Sequence, residues 1–123
     1  MRLLIVDDSS IIRNLIKNQI KIFEKVNIVG EAGNGIMAME MVNAFHPDLV
    51  ILDLHMPGMN GIQVLREIKK TNAKIIVCIL TNYPYPQYKE KCIAFGADFF
   101  LNKNEDFETI NIVIGNILME EEK

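Results

Sequence analysis

The sequence predicts an α/β fold in which an open parallel sheet of five strands carries five helices on its two faces. Three observations lead there. Short apolar runs alternate with longer stretches of helical periodicity five times along the 123 residues. Several runs, Leu49–Leu52 most clearly, are apolar at consecutive positions, the pattern of a strand covered on both faces. No linker, low-complexity tract or repeat breaks the alternation, so residues 1–123 read as one domain of ordinary size.

Leu3–Val6 is the first strand, cut off by Asp7 and Asp8. Ser9 or Ser10 can cap the first helix, whose Ile12, Leu15, Ile16, Gln19, Ile20 and Phe23 recur mostly at spacings of three and four. Ile28–Gly30 is the second strand. A helix from Ile36 to Phe45 follows and is stopped by Pro47. Leu49–Leu52 is the third strand, and the third helix follows Gly61 with Ile62, Leu65 and Ile68 on one face. Ile75–Leu80 is the fourth strand. The fourth helix spans Gln87 to Phe95 and ends at Gly96, a C-terminal stop. Phe99–Leu101 is the fifth strand, and a last helix from Phe107 to Met119 buries Ile110, Val113, Ile114 and Ile117. Parallel strands need crossover connections, which the helices supply; right-handed crossovers and a switch in winding direction leave a crevice at the carboxyl ends of the strands.

Composition narrows the function. Half the residues are hydrophobic, enough for a core without disulfides or a structural metal. The net charge of -3 argues against a general nucleic-acid or anionic-membrane binder, since both recruit an excess of Lys and Arg. The opening run Met1–Val6 is too short for a signal peptide or a membrane span. Cys78 and Cys92 lack framework spacing and read as buried small hydrophobes in a reducing compartment, so the expected location is cytoplasmic.

The chemistry lies just after the strands. Asp7 and Asp8 follow the first, Asp53 ends the third, Thr81 ends the fourth and Lys103 follows the fifth. A parallel sheet brings these positions to one edge. Three carboxylates at close range repel one another, and a hard divalent cation with oxygen ligands relieves that; Mg²⁺ suits carboxylates combined with water and phosphate. A carboxylate between a metal and an ammonium can attack phosphorus and form an aspartyl phosphate. The Thr81 hydroxyl could donate to a phosphoryl oxygen.

Ile5-Val6-Asp7-Asp8-Ser9, the stretch from Asp48 to Gly61, Leu80-Thr81-Asn82 and the stretch from Gly96 to Lys103 together resemble the response-regulator receiver domain of two-component signalling, along essentially the whole chain. The resemblance implies a flavodoxin-like sheet in the order 2-1-3-4-5. It implies Asp53 as phosphoacceptor. Asp8 would be a direct Mg²⁺ ligand, Asp7 a water-mediated one, and the backbone carbonyl of His55 the third protein ligand. Thr81 and Lys103 would be the phosphoryl-sensing hydroxyl and phosphoryl-binding amine, and Phe100 the aromatic switch. Implied partners are a histidine kinase or phosphotransfer protein and an unidentified downstream protein, met through helix four, strand five and helix five. A monomer or weak dimer is expected, with no output domain and no catalysis beyond its own phosphorylation and dephosphorylation.

Three departures from the family pattern stand out. Asn104 follows Lys103 where proline is usual; a cis bond before Asn would cost about 3 kcal/mol, so a trans bond is expected. Phe100 lacks the hydroxyl of the tyrosine common there, leaving a switch that rests on packing. The two prolines of Asn82-Tyr83-Pro84-Tyr85-Pro86 should delay helix four. His55 reads as a loop histidine shielding the site rather than a ring ligand, for no second His or Cys is spaced to share a transition metal. His46, before Pro47, reads as a solvated helix end. Met37, Met39 and Met41 read as a mixture of core and surface, while Tyr83, Tyr85 and Tyr88 are either docking anchors or packing over the prolines. An aspartate-nucleophile phosphatase would carry Asp-x-Asp after the first strand, whereas here Asp7 and Asp8 are adjacent and Asp53 is followed by Leu54 and His55. A flavin module of the same topology is disfavoured by an acidic first loop, and a degenerate scaffold by the complete residue set.

Overall fold

In the computed structural model, which describes residues 1–122, strand and helix alternate as the periodicity predicts. The elements are β1 (Arg2–Val6), α1 (Ser10–Ile20), β2 (Asn27–Ala32), α2 (Gly35–Phe45), β3 (Leu49–Leu52), α3 (Gly61–Thr71), β4 (Ile76–Thr81), α4 (Pro86–Ala94), β5 (Phe99–Asn102) and α5 (Thr109–Glu121). All strand pairs are parallel and the order is β2-β1-β3-β4-β5, a five-stranded flavodoxin-like sheet.

Successive side chains of a strand point to opposite faces, and the strands feed two separate cores. Leu4, Val6, Val50, Leu52, Val77 and Ile79 pack under α2, α3 and α4. Leu3, Ile5, Leu49, Ile51, Cys78 and Leu80 pack under α1 and α5. β3 is apolar on every position, and β1 and β4 are so apart from Arg2 and Thr81 at their ends, because both faces of the central strands are covered. The α5 stripe of Ile110, Val113, Ile114 and Ile117 is buried as expected, and so are both free cysteines. Burial pushes the Cys78 thiol up to about 12 and the Cys92 thiol up to about 11, so neither is a ready thiolate.

Local signals set the helix ends. Ser9, rather than Ser10, caps α1 through a bond from the Ile12 N–H to its hydroxyl oxygen at 3.2 Å. Asn34 caps α2, and Asn60 with Gln63 forms a reciprocal capping box on α3. At the end of α2, His46 is left-handed at φ 48° and exposed. α4 begins at Pro86, one residue before the expected Gln87, with Pro84 left in the loop and Pro86 in the first turn.

Some expectations are corrected. Leu15 does not join the buried stripe of α1: only Ile16 and Ile20 do, and Leu15 is 48% exposed. Phe23 lies beyond the helix end but packs against the core all the same. β2 extends further than Ile28–Gly30 on both sides, and α5 starts two residues after Phe107, at Thr109. Of the methionines, Met39 and Met41 pack on the core and Met37 is exposed. No peptide bond is cis among the described residues, so the Lys103–Asn104 bond is trans. No helix among the described residues is long and apolar enough to cross a membrane.

Candidate functional site

β1 and β3 are neighbours although β2 lies between them in sequence, and at this reversal their carboxyl ends open a crevice. The Asp53 N–H donates to the Val6 carbonyl at 2.9 Å, and the Asp7 N–H to the Ala32 carbonyl at 3.0 Å. These bonds carry both carboxylates just past the last rungs of adjacent strands. α3 starts so close to Asp53 that a Cβ on Gly61 would stand 2.2 Å from the Asp53 carbonyl oxygen, which only glycine avoids.

Asp7 and Asp53 are buried. One Asp7 oxygen pairs with Lys103 Nζ at 2.7 Å, and the other accepts the Ser9 N–H at 2.9 Å. Lys103 Nζ lies 3.5 Å from Asp53 Oδ1, which also accepts the His55 N–H at 3.3 Å. Asp8 is exposed, and among the described residues no side-chain hydrogen bond or ion pair ties it down. Ligand oxygens of Asp7, Asp8 and Asp53 all lie within 4.8 Å of one another. Burial pushes the Asp53 carboxyl above its ordinary range; Lys103 opposes the shift, and the charges of Asp7 and Asp8 add to it. Three carboxylates against one ammonium leave negative charge uncompensated, and Asp8 has unclaimed oxygens. That donor set fits a hard divalent cation.

Thr81 is fully buried at the end of β4, and its hydroxyl oxygen accepts the Tyr83 N–H at 2.9 Å, leaving the hydroxyl proton to donate elsewhere. Phe100 faces Ile79 across the β4–β5 ladder and packs half-buried against the core under α4. Beside the crevice the His55 ring meets Tyr83 at a centroid distance of 4.1 Å and Tyr88 at 5.5 Å. Tyr85 lies 6.3 Å from Tyr83 and 5.9 Å from Tyr88. The three tyrosines and His55 therefore form one cluster. A cavity of about 420 Å³ opens beneath it, lined by Asp8, His55, Met56, Ile62 and Tyr88 among others.

The sequence-predicted residues Asp7, Asp53, Thr81 and Lys103 thus meet at one edge, with Asp8 and His55 at its rim. Two supports escaped sequence reasoning. Arg13 donates from Nη1 to the Asp7 carbonyl at 2.6 Å and from Nε to Glu31 at 3.1 Å. Asn102 and Asp106 tie the loop that carries Lys103. The signal for Arg13 was its place one turn into α1, facing back toward the strand end. The signal for the other two was Asx residues at a turn.

The family model for the response regulator receiver domain matches residues 3–114. A protein-glutamate methylesterase/protein-glutamine glutaminase of Treponema denticola is 40% identical over 114 residues, covering 91% of this chain but 31% of that protein. The chain therefore spans about a third of this curated relative. The chemotaxis protein CheY of Halobacterium salinarum is 32% identical over 117 residues, covering 95% of this chain and 96% of the relative. Among solved structures, the CheX-CheY-BeF3-Mg+2 complex of Borrelia burgdorferi matches with a TM-score of 0.85 at 27% identity, over 96% of this chain and 89% of that one. A receiver model that matches nearly end to end, on the sheet order and edge chemistry described above, identifies the chain as a member of the response regulator receiver domain family, the phosphoacceptor signalling modules of two-component systems.

Proposed function

We infer that Asp53 is the residue that takes the phosphoryl group and that residues 1–123 form one receiver domain. One observation carries this reading: Lys103 Nζ stands 2.7 Å from Asp7 and 3.5 Å from Asp53, within a group of three carboxylates at the crevice. Asp8 would hold Mg²⁺ directly and Asp7 through water, with Asp53 and the His55 backbone carbonyl completing the protein ligands. When bound, Mg²⁺ neutralises charge on the transferring group. An Asp53 oxygen forms the new bond to phosphorus. The bond from phosphorus to the donor's nitrogen or acyl oxygen breaks, and its electron pair leaves with the donor. Lys103 pairs with a phosphoryl oxygen and the Thr81 hydroxyl donates to another.

The same residues act as a switch. Drawing the Thr81 hydroxyl toward the phosphoryl group alters the packing beside Phe100, and the face of α4, β5 and α5 changes its affinity for a partner. The donor is a histidine kinase or a phosphotransfer protein, and the output is contact with a downstream protein. Two free buried cysteines support a reducing, cytoplasmic setting. The beryllofluoride and Mg²⁺ of the Borrelia complex support the cofactor by relationship. The decisive experiment is labelling with a small phosphodonor and Mg²⁺: intact mass should rise by one phosphoryl group, and Asp53→Asn should block the rise. Equal labelling of the variant would sink the assignment.

A further inference from the structure

β5 ends at Asn102, one residue before Lys103, and the chain then turns toward α5 without a proline. Side chains shape this turn. The Asn102 N–H donates to Asp106 Oδ2 at 2.9 Å, and the Asp106 N–H donates back to the Asn102 carbonyl at 2.8 Å. The Asn104 N–H donates to Asn102 Oδ1 at 2.8 Å. Between these bonds the Lys103 N–H continues the ladder to the Thr81 carbonyl at 2.8 Å. The far side is fastened as well: the Thr109 N–H donates to the Asp106 carbonyl at 2.8 Å, and Gln19 Nε2 donates to the Phe107 carbonyl at 2.6 Å.

The fastening bears on the chemistry because the Lys103 ammonium is shared unequally. It sits closer to Asp7 than to Asp53, so its reach toward a group on Asp53 depends on where the backbone of residue 103 stands. A lysine side chain is a point charge on a flexible stem with about 2 kcal/mol of rotamer entropy, and it does not aim itself. We propose that Asn102 and Asp106 are positioning residues: their reciprocal clamp sets the backbone of Lys103 so that its amine meets the phosphoryl group. Neither touches the reacting atoms. Asp106 supplies an acceptor for an N–H at the end of the edge strand, and Asn102 supplies the Asx turn that carries the chain past Lys103. The inference rests on Lys103 being the phosphoryl-binding amine.

The test measures the limiting rate of phosphorylation by phosphoramidate, the affinity for beryllofluoride and, separately, Mg²⁺ affinity by calorimetry. Asp106→Ala should slow the limiting rate on the order of ten- to a hundredfold, the scale of a misplacement of about an ångström. It should weaken beryllofluoride binding in step and change Mg²⁺ affinity far less, since Asp8, Asp53 and the His55 carbonyl stay in place and only the pairing of Lys103 with Asp7 is disturbed. Asp106→Asn keeps an acceptor oxygen and should restore the rate. Asn102→Ala removes only the Asx turn and carries the same test if Asp106→Ala does not fold; Asn102→Ser should rescue it. Full rates in both alanine variants, or Mg²⁺ affinity falling in parallel, would overturn the clamp. Lys103→Met distinguishes the layers. A slow Lys103→Met beside full-rate clamp variants defeats the clamp alone, whereas a full-rate Lys103→Met defeats the role of Lys103 and the clamp with it.

Discussion

Asp53 lies between two regions built on different principles. On one side is a polar floor from the β1–α1 and β5–α5 loops, where Asp7 is held by Lys103, Ser9 and Arg13 at hydrogen-bond distances. On the other is an aromatic roof from the β3–α3 and β4–α4 loops, where His55 and Tyr83 are exposed and meet through ring contact. The floor is directional and buried, so losing one partner leaves another unsatisfied at a cost of about 1–3 kcal/mol. The roof is held by contacts worth about 0.5–1.5 kcal/mol each, and it can move. On the proposed function, groups that must stay in register for phosphoryl transfer belong to the floor, and groups that only admit or exclude water belong to the roof.

The largest expected effect concerns the charge stored in the floor. Burial holds the Asp53 carboxyl above its ordinary value of 3.8, with Asp7 and Asp8 adding to the shift. For such a group the contribution to stability is full below the unfolded pKa and is lost as the pH rises through the folded one. At neutral pH the metal-free protein therefore carries a strained carboxylate. Asp53→Asn should melt higher than wild type without metal, by roughly 4 °C for each kcal/mol relieved. Mg²⁺ should raise the melting temperature of wild type more than that of the variant. A variant that melts lower than wild type at pH 7 without metal would contradict the stored repulsion.

A smaller effect ranks the acidic pair. Asp7 already spends its oxygens on Lys103 and Ser9, whereas Asp8 is exposed with its oxygens unclaimed. Asp7→Asn should lower Mg²⁺ affinity by about tenfold, the scale of an indirect ligand, and Asp8→Asn should lower it further. Calorimetric titration of both variants measures the order, and equal or reversed losses would refute it.

The strands beside the floor should transmit the signal. Thr81 is buried on β4 next to β5, where Phe100 rests half-buried against the α4 side of the core. Beryllofluoride with Mg²⁺ should alter hydrogen-exchange protection in α4, β5 and α5 as well as around Asp53. Changes confined to the loops beside Asp53 would mean that no coupling leaves the site.

Legibility in the sequence divides along the same line. β3 has the bounds expected of it, because four buried apolar residues stand between Asp48 and Asp53. β2 runs beyond its apolar core of Ile28–Gly30 because as an edge strand it is only half-buried and its pattern is weak. Leu15 misled because an apolar residue at helical spacing can still lie exposed, as Ile11 does one turn earlier at 72%. The floor's charged residues were legible because a parallel sheet sends every strand end to one edge, whatever the separation in sequence. Its fastening by Arg13, Asn102 and Asp106 was not, since loop hydrogen bonds depend on a backbone path that spacing does not encode. For the roof, the sequence puts His55 over the site but leaves Tyr83 either a docking anchor or packing over the prolines; the 4.1 Å contact sets its ring against His55.

That contact leads to the smallest effect, the lifetime of the phosphorylated state. With Asp53 as the proposed phosphoacceptor, a hydrolytic water must approach phosphorus in line, opposite the Asp53 oxygen. His55 and Tyr83 stand two residues beyond Asp53 and Thr81, and their ring centroids lie 4.1 Å apart; the resemblance to receiver domains puts both beside that approach. Neither carries a carboxylate or amide to orient the water, and the Tyr83 N–H is committed to Thr81 at 2.9 Å, which fixes its backbone near the site. Excluding or misorienting the water removes the positioning that hydrolysis needs. The phosphoprotein should therefore be long-lived. His55→Asn and Tyr83→Glu, which open the roof and offer groups that can hold a water, should each speed decay, by roughly tenfold at most, or about 1.4 kcal/mol of barrier. The limit follows from the weakness of ring contacts, each worth about 0.5–1.5 kcal/mol. Decay of purified phosphoprotein in Mg²⁺ gives the answer. Unchanged or slower decay in both variants would show that the roof does not shield the site. Decay faster by several orders of magnitude would show that the roof is held as rigidly as the floor, and the contrast between the two regions would collapse.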